Sequence, residues 1–182
     1  MLCEVELVFS LSYTAAYDPY HAVFRMLVLL ASTENGEIPS KTARAADFFY
    51  CFPWMLKDIR APRSIEGFAR MRNQIVRKYP KTSYDRFPSA RVVYDRMELI
   101  QSTAVSALAG ANMIEPVETS SKMLALKQES VPSGLFTAVE QAIEKTPDLL
   151  KFVAVILPQI EQLGSDGLFA RTGLGEYSYD VV

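Results

Sequence analysis

The sequence predicts a mainly α-helical chain with a small β-hairpin, a winged-helix-like domain enlarged by C-terminal helices. Three observations predict it. Residues 17–52 read as helix, turn, helix; residues 62–109 carry apolar stripes at helical spacing; and two short extended runs flank a polar turn between residues 113 and 127. The 182 residues, 49% hydrophobic and 22% charged, are enough to bury a real core and too apolar to remain disordered. They read as one domain over residues 1–182, with a helical C-terminal part from about residue 130.

Leu2–Phe9 alternates as a strand, with Val5, Leu7 and Phe9 on one side and Glu4, Glu6 and Val8 on the other. Asp18-Pro19 is a helix start, Asp18 as N-cap and Pro19 at the first helical position. The helix to about Ala31 is apolar nearly all round, with Val23, Phe24, Met26, Leu27, Val28, Leu29 and Leu30. Such a helix is either a central core element or has a second face covered by another chain. Asn35-Gly36 turns the chain, Ser40 caps a second helix over Lys41–Phe52, and Pro53 ends it. Phe48, Phe49, Tyr50, Phe52 and Trp54 place five aromatics within seven residues. They are read either as a core plug or, with the apolar helix before them, as a permanent protein interface made by Phe48, Phe49, Phe52 and Trp54.

Pro62 and Ser64 open a third predicted helix, Ile65–Tyr79, with Ile65, Phe68, Ala69, Ile75, Val76 and Tyr79 inward. Its outer face carries Arg63, Arg70 and Arg77 at heptad spacing with Lys78 beside them, and Arg72 falls within the apolar arc. A charge there needs a carboxylate from the chain or from a partner. After a loop with Pro80, Ser83 and Asp85, Pro88 opens a longer helix, Ser89–Ala109, with the stripe Val93, Met97, Ile100, Ala104 and Ala107. Met113–Val117 and Met123–Lys127 form the hairpin around Thr119-Ser120-Ser121, and Pro116 restricts its arm to an edge. Two helices follow, Ser133–Lys145, with Leu135, Val139, Ala142 and Ile143 inward, and Pro147–Leu163, stopped by Gly164. A short helix is expected near Ser165–Arg171, and the tail from Gly173 is expected to be loose or docked on a partner.

Charge is divided along the chain. Residues 57–96 carry 11 Lys/Arg against 4 Asp/Glu, a local +7, between acidic flanks of −3 and −6. This basic middle points to a directed electrostatic surface. Arg63, Arg70, Arg77 and Lys78, with Lys81 and Arg86 in the following loop, suit a phosphate backbone, an acidic protein surface or plain solvation. Cys3 and Cys51 make no disulfide framework or metal spacing and read as reduced, buried thiols. The start MLCEVELVFSLS has no basic n-region, so no signal peptide is expected. No segment reaches the ~18 apolar residues of a membrane span, so a cytoplasmic protein without membrane contact is expected.

The residues offer little chemistry. Gly173-Leu174-Gly175 lacks the lysine of a phosphate loop, and the single histidine, His21, sits in the first turn of a helix as a capping or surface residue. Asp47, Asp58 and Glu66 can converge on a metal in principle, but no Glu-x-Lys pair accompanies them. Ser40, Ser64 and Ser89 are explained as N-caps, and Cys51 among aromatics reads as inert. No cofactor, metal or catalytic residue is expected.

Tyr17-Asp18-Pro19-Tyr20-His21 before an apolar helix, then Ile38-Pro39-Ser40, a helix ending Asp47-Phe48-Phe49-Tyr50-Cys51-Phe52-Pro53, and a basic helix resemble the middle components of bacterial ABC-three-component systems. These include the small third subunit of Lamassu-type defence. The resemblance covers Tyr17 to Asn112; residues 113–182 match no nameable pattern. It implies a non-catalytic accessory subunit of a defence complex against phage or plasmids, lying between an SMC/Rad50-like ATPase subunit and a nuclease-type effector subunit. It also implies that double-stranded DNA is held through the complex. The alternative is a stand-alone winged-helix DNA-binding transcriptional regulator, and a third reading is an enzyme of unrecognised type.

Overall fold

The computed structural model describes residues 15–81, 88–117, 122–161 and 164–175. The expected strand Leu2–Phe9, Cys3, Arg86, the turn Thr119–Ser121 and the tail after Gly175 lie outside the described residues. The described chain is mostly helical, with one three-stranded antiparallel sheet.

Helix α1 is Pro19–Ala31, and its start is as the sequence predicts. Pro19 is the first helical residue and the Asp18 carboxylate accepts the His21 N–H at 2.9 Å. Ala22 and Arg25–Leu30 are buried along it. It lies in the middle of the fold, packed by α4 (Ala90–Gly110), α2 (Ser40–Cys51), α5 (Ser133–Lys145) and strand β3 (Met123–Leu126). The all-round apolar pattern is thus satisfied within the chain, each buried Leu, Val or Met contributing roughly 1.5–3 kcal/mol.

After α1, Gly36 takes the left-handed conformation, φ +71°, that the Asn-Gly turn requires. The chain then enters strand β1, Glu37–Pro39, which the sequence reading missed. Strand β1 pairs with β3, and β3 pairs on its other side with β2, Ile114–Val117, giving the order β1-β3-β2. Pro116 lies on an edge strand, as expected. Ser40 does not cap α2: Pro39 occupies the cap position, Ser40 is the first helical residue, and its N–H bonds to the Lys122 carbonyl. The sheet bond does the work assigned to the side chain.

Pro53 ends α2 and starts a 3-10 turn, Pro53–Asp58, on which α3 packs. Helix α3 runs Phe68–Lys78, beginning three residues later than expected, because Gly67 at φ +73° breaks the backbone path before it. In α4, Ser89 is the N-cap and the helix begins at Ala90, so Pro88 lies before it. Its buried stripe is Val93, Tyr94, Met97, Gln101, Ala104 and Leu108; Ile100 is half-buried and Ala107 exposed. Helix α5 has the expected bounds, with Val139 buried and Leu135, Ala142 and Ile143 half-buried.

The long helix expected over Pro147–Leu163 is broken. Helix α6, Pro147–Lys151, widens into a π-helical turn, Phe152–Ile156, and then tightens to a 3-10 turn, Leu157–Gln159. Pro158 explains the break: it offers no N–H to the preceding turn and its ring crowds the carbonyl four residues back. Phe152, Val153, Ala154 and Leu157 are nonetheless buried, and Phe152 meets Phe68 of α3 at a tilt, with ring centroids 5.0 Å apart. Helix α7, Leu168–Thr172, precedes Leu174, whose burial docks the start of the tail on this chain's own core. No helix among the described residues is long and apolar enough to cross a membrane.

Candidate functional site: a buried charge network and a basic helix

Helices α1 and α2 each bring one charge into the apolar interior. Arg25 projects from α1 and Asp47 from α2, 8% and 0% exposed. Arg25 Nε donates to Asp47 Oδ1 at 2.6 Å and Nη2 to Oδ2 at 3.2 Å, a two-pronged pair. The guanidinium also donates from Nη1 to the Ala15 carbonyl at 2.6 Å and from Nη2 to that of Ala16 at 3.4 Å. Asp47 Oδ2 accepts a third bond from Gln101 Nε2 of α4 at 2.9 Å.

From there the network runs to the surface. Gln101 Nε2 donates to the Arg44 carbonyl at 3.1 Å, and its Oε1 accepts from Arg44 Nε at 3.1 Å. Arg44 meets Glu98 at 3.2 Å and lies over the Tyr94 ring, 4.8 Å from its centre. Burial opposes the charge on Arg25, but the Asp47 carboxylate outweighs it and holds the guanidinium above its ordinary range. Burial, reinforced by Asp47, pushes the Cys51 thiol far above the ordinary thiol range, which keeps it protonated and a poor nucleophile. Burial likewise pushes the Tyr94 phenol up to about 12. The arrangement is suited to fixing three helices together, and it holds Asp47 away from Asp58 and Glu66, both exposed.

The four aromatics expected at a partner interface are inside this chain. Phe48, Phe49 and Phe52 are fully buried and Trp54 is 8% exposed. Phe48 meets Phe49 edge-on at 5.1 Å and Tyr94 at 5.9 Å, and Phe52 meets Trp54 at 5.6 Å. Of the two readings the rings allowed, they occupy the core plug, because α4 and the 3-10 turn close over them.

The basic residues are dispersed rather than aligned. Arg63 precedes α3, so the heptad row Arg63, Arg70, Arg77 does not lie on one helix. Arg63 instead lines an open cleft of about 470 Å³ with Ala61, Ser64, Asp166 and Arg171. Arg171 is occupied there, donating to the Asp166 carbonyl and carboxylate at 2.6 and 3.1 Å and to the Arg60 carbonyl at 3.2 Å. Arg72 needs no carboxylate: Nη1 donates to the Ile59 carbonyl, and Nε and Nη2 hold the Asn73 amide oxygen at 3.1 and 3.0 Å.

Lys78 is committed to Asp148 at 2.9 Å, which also accepts from the Tyr79 hydroxyl at 3.1 Å. Partial burial works against ionisation of Asp148, yet the bonds from Lys78 and Tyr79 prevail and keep its carboxyl below the usual range. Arg70, Arg77 and Lys81 are exposed. His21 is exposed, and no group of metal-ligating residues gathers among the described residues.

Sequence reasoning missed Arg25, Gln101 and Arg44. The signal was present: an arginine inside an apolar helix, and an aspartate inside the run Ala45-Ala46-Asp47-Phe48-Phe49, are opposite charges on two adjacent apolar faces.

Residues 11–180 match the family model of the ABC-three component (ABC-3C) system Middle Component 5. The match extends through the hairpin and the C-terminal helices, well beyond the stretch ending at Asn112 that carried the resemblance. No curated protein and no solved structure gives a significant match. With nearly its whole length matched, the chain belongs to the Middle Component 5 family of ABC-three component systems.

Proposed function

We propose that this middle component is a non-catalytic accessory subunit of a defence complex, bridging an SMC/Rad50-like ATPase and a nuclease-type effector. Its placement among Lamassu-type systems, and in the cytoplasm, is part of the proposal. The observation that carries the reading is the family match over residues 11–180, since a middle component acts with the other components of its system. The pinned interior supports it as well: a three-helix body held by Arg25, Asp47 and Gln101 is a rigid platform.

Co-expression with the products of the neighbouring genes tests the bridge. The ATPase and the effector should co-purify with this chain, and omission of the chain should leave them unassociated. Association of those two without it would overturn the bridging role.

A second reading, a stand-alone winged-helix DNA-binding regulator, is favoured by the element order. Helix, strand, helices and then a hairpin, with the last strand between the first and its own partner, is an order that a winged helix would also have. It predicts a homodimer that binds its own promoter without any neighbour. A chain that is monomeric alone and stable only in the complex would exclude it.

A further inference from the structure

Helix α3 is held to the fold by one side. Phe68 and Ile75 are its buried residues, with Met71, Arg72 and Val76 half-buried. The opposite face is Arg70, Asn73, Gln74 and Arg77, all exposed and spaced three or four residues apart, so they form one row. The helix FARMRNQIVRK contains no acidic residue. Glu66 precedes it, and Asp148 near its end is taken by Lys78 and Tyr79. Among the described residues, Arg70 and Arg77 make no ion pair.

Arg72 shapes this face from behind. Anchored on the Ile59 carbonyl, it binds the Asn73 amide oxygen through two nitrogens. That leaves the NH2 of the exposed Asn73 outside the bond. Two guanidinium groups and two exposed amides therefore lie along roughly 10 Å of helix.

We propose that this face, Arg70–Asn73–Gln74–Arg77, binds the major groove of double-stranded DNA, with the two arginines on phosphates and the two amides toward base edges. An α-helix fits that groove, whose rims are phosphate oxygens and whose floor is rich in purine acceptors. A protein partner would need an apolar centre to the contact, and this row contains no apolar side chain. The helix that precedes the hairpin, where a winged helix ordinarily reads DNA, is poorly suited here. The exposed side of α4 mixes Arg96 with Asp95 and Glu98, which pair with Arg91 and Arg44, and carries Leu99, 73% exposed, so it forms no basic row. The inference does not depend on the bridging role.

The test is binding of a labelled duplex by the full chain and by the assembled complex, over a series of salt concentrations. Arg70→Gln with Arg77→Gln should weaken binding and make the slope of log affinity against log salt shallower by about 1.8, two phosphate contacts at ~0.9 each. Arg70→Lys with Arg77→Lys should preserve the slope, and both variants should melt as the wild type does. Unchanged affinity and slope in the glutamine variant would overturn the proposal. So would lost assembly with DNA affinity retained, which would assign the face to an acidic protein, or a wild-type chain and complex that both fail to bind duplex. A chain that binds DNA through this face but never joins the ATPase would keep the inference and overturn the accessory-subunit reading; a complex that forms with the glutamine variant indifferent would do the reverse.

Discussion

Asp47 is the residue on which the interior turns. Its two oxygens receive Arg25 twice and Gln101 once, so removing it strands a guanidinium in an apolar surround. Asp47→Ala should destabilise the chain by about 3–5 kcal/mol, the usual cost of leaving one partner of a buried pair uncompensated. Replacing both charges, Arg25→Met with Asp47→Leu, should cost much less, because no charge then remains to be buried. Urea denaturation of Asp47→Ala checks the first statement, and that of Arg25→Met, Asp47→Leu and the double variant, treated as a double-mutant cycle, checks the second. Equal losses in Asp47→Ala and in the double variant would mean that the pair contributes only packing.

At the scale of elements, Gly67 decides where α3 begins and so which of its residues face outward. At φ +73° an added Cβ meets only the Met71 methyl, 3.9 Å away, so space is not the obstacle. The strain is in the backbone, and Gly67→Ala should cost roughly 1–2 kcal/mol, read as a lower thermal midpoint. Pro62 and Ser64 look like a helix start in sequence because proline and serine favour first turns, and nothing local says that the chain stays irregular until Gly67. Elements with strong periodicity and firm ends were legible: Asp18-Pro19 gave α1 its start, and α5 had its stated bounds. Strand β1 was not legible, since Glu37-Ile38-Pro39 is too short to alternate and contains a proline. It exists because β3 offers it a partner. The break after Lys151 has its cause in Pro158, a signal masked in sequence by the apolar residues around it. Of the site, the basic residues were visible but their grouping was not. Arg72 and Lys78 find partners across the fold, on Ile59 and Asp148, whereas the alignment of Asn73 and Gln74 with Arg70 and Arg77 follows from helical spacing alone.

Across the whole molecule, the sheet has two outer strands, and each contains a proline, Pro39 in β1 and Pro116 in β2. The bonds to β3 use Gly36 and Ser40 on one side and Met113 on the other. By the alternation of a strand, residues 37 and 39 of β1 and residues 114 and 116 of β2 then aim their backbone groups away from the sheet. Both prolines therefore stand where an incoming strand would look for an N–H, and among the described residues of β1 and β2 the outward donors are those of Glu37 and Ile114. Substituting both, Pro39→Thr with Pro116→Thr, should give concentration-dependent association in light scattering that the wild type lacks. Among the described residues, the two rims of the sheet therefore offer little to an added strand. The helices are the better ground for an assembly, since contact there is made by side chains and choice of partner follows from their identity.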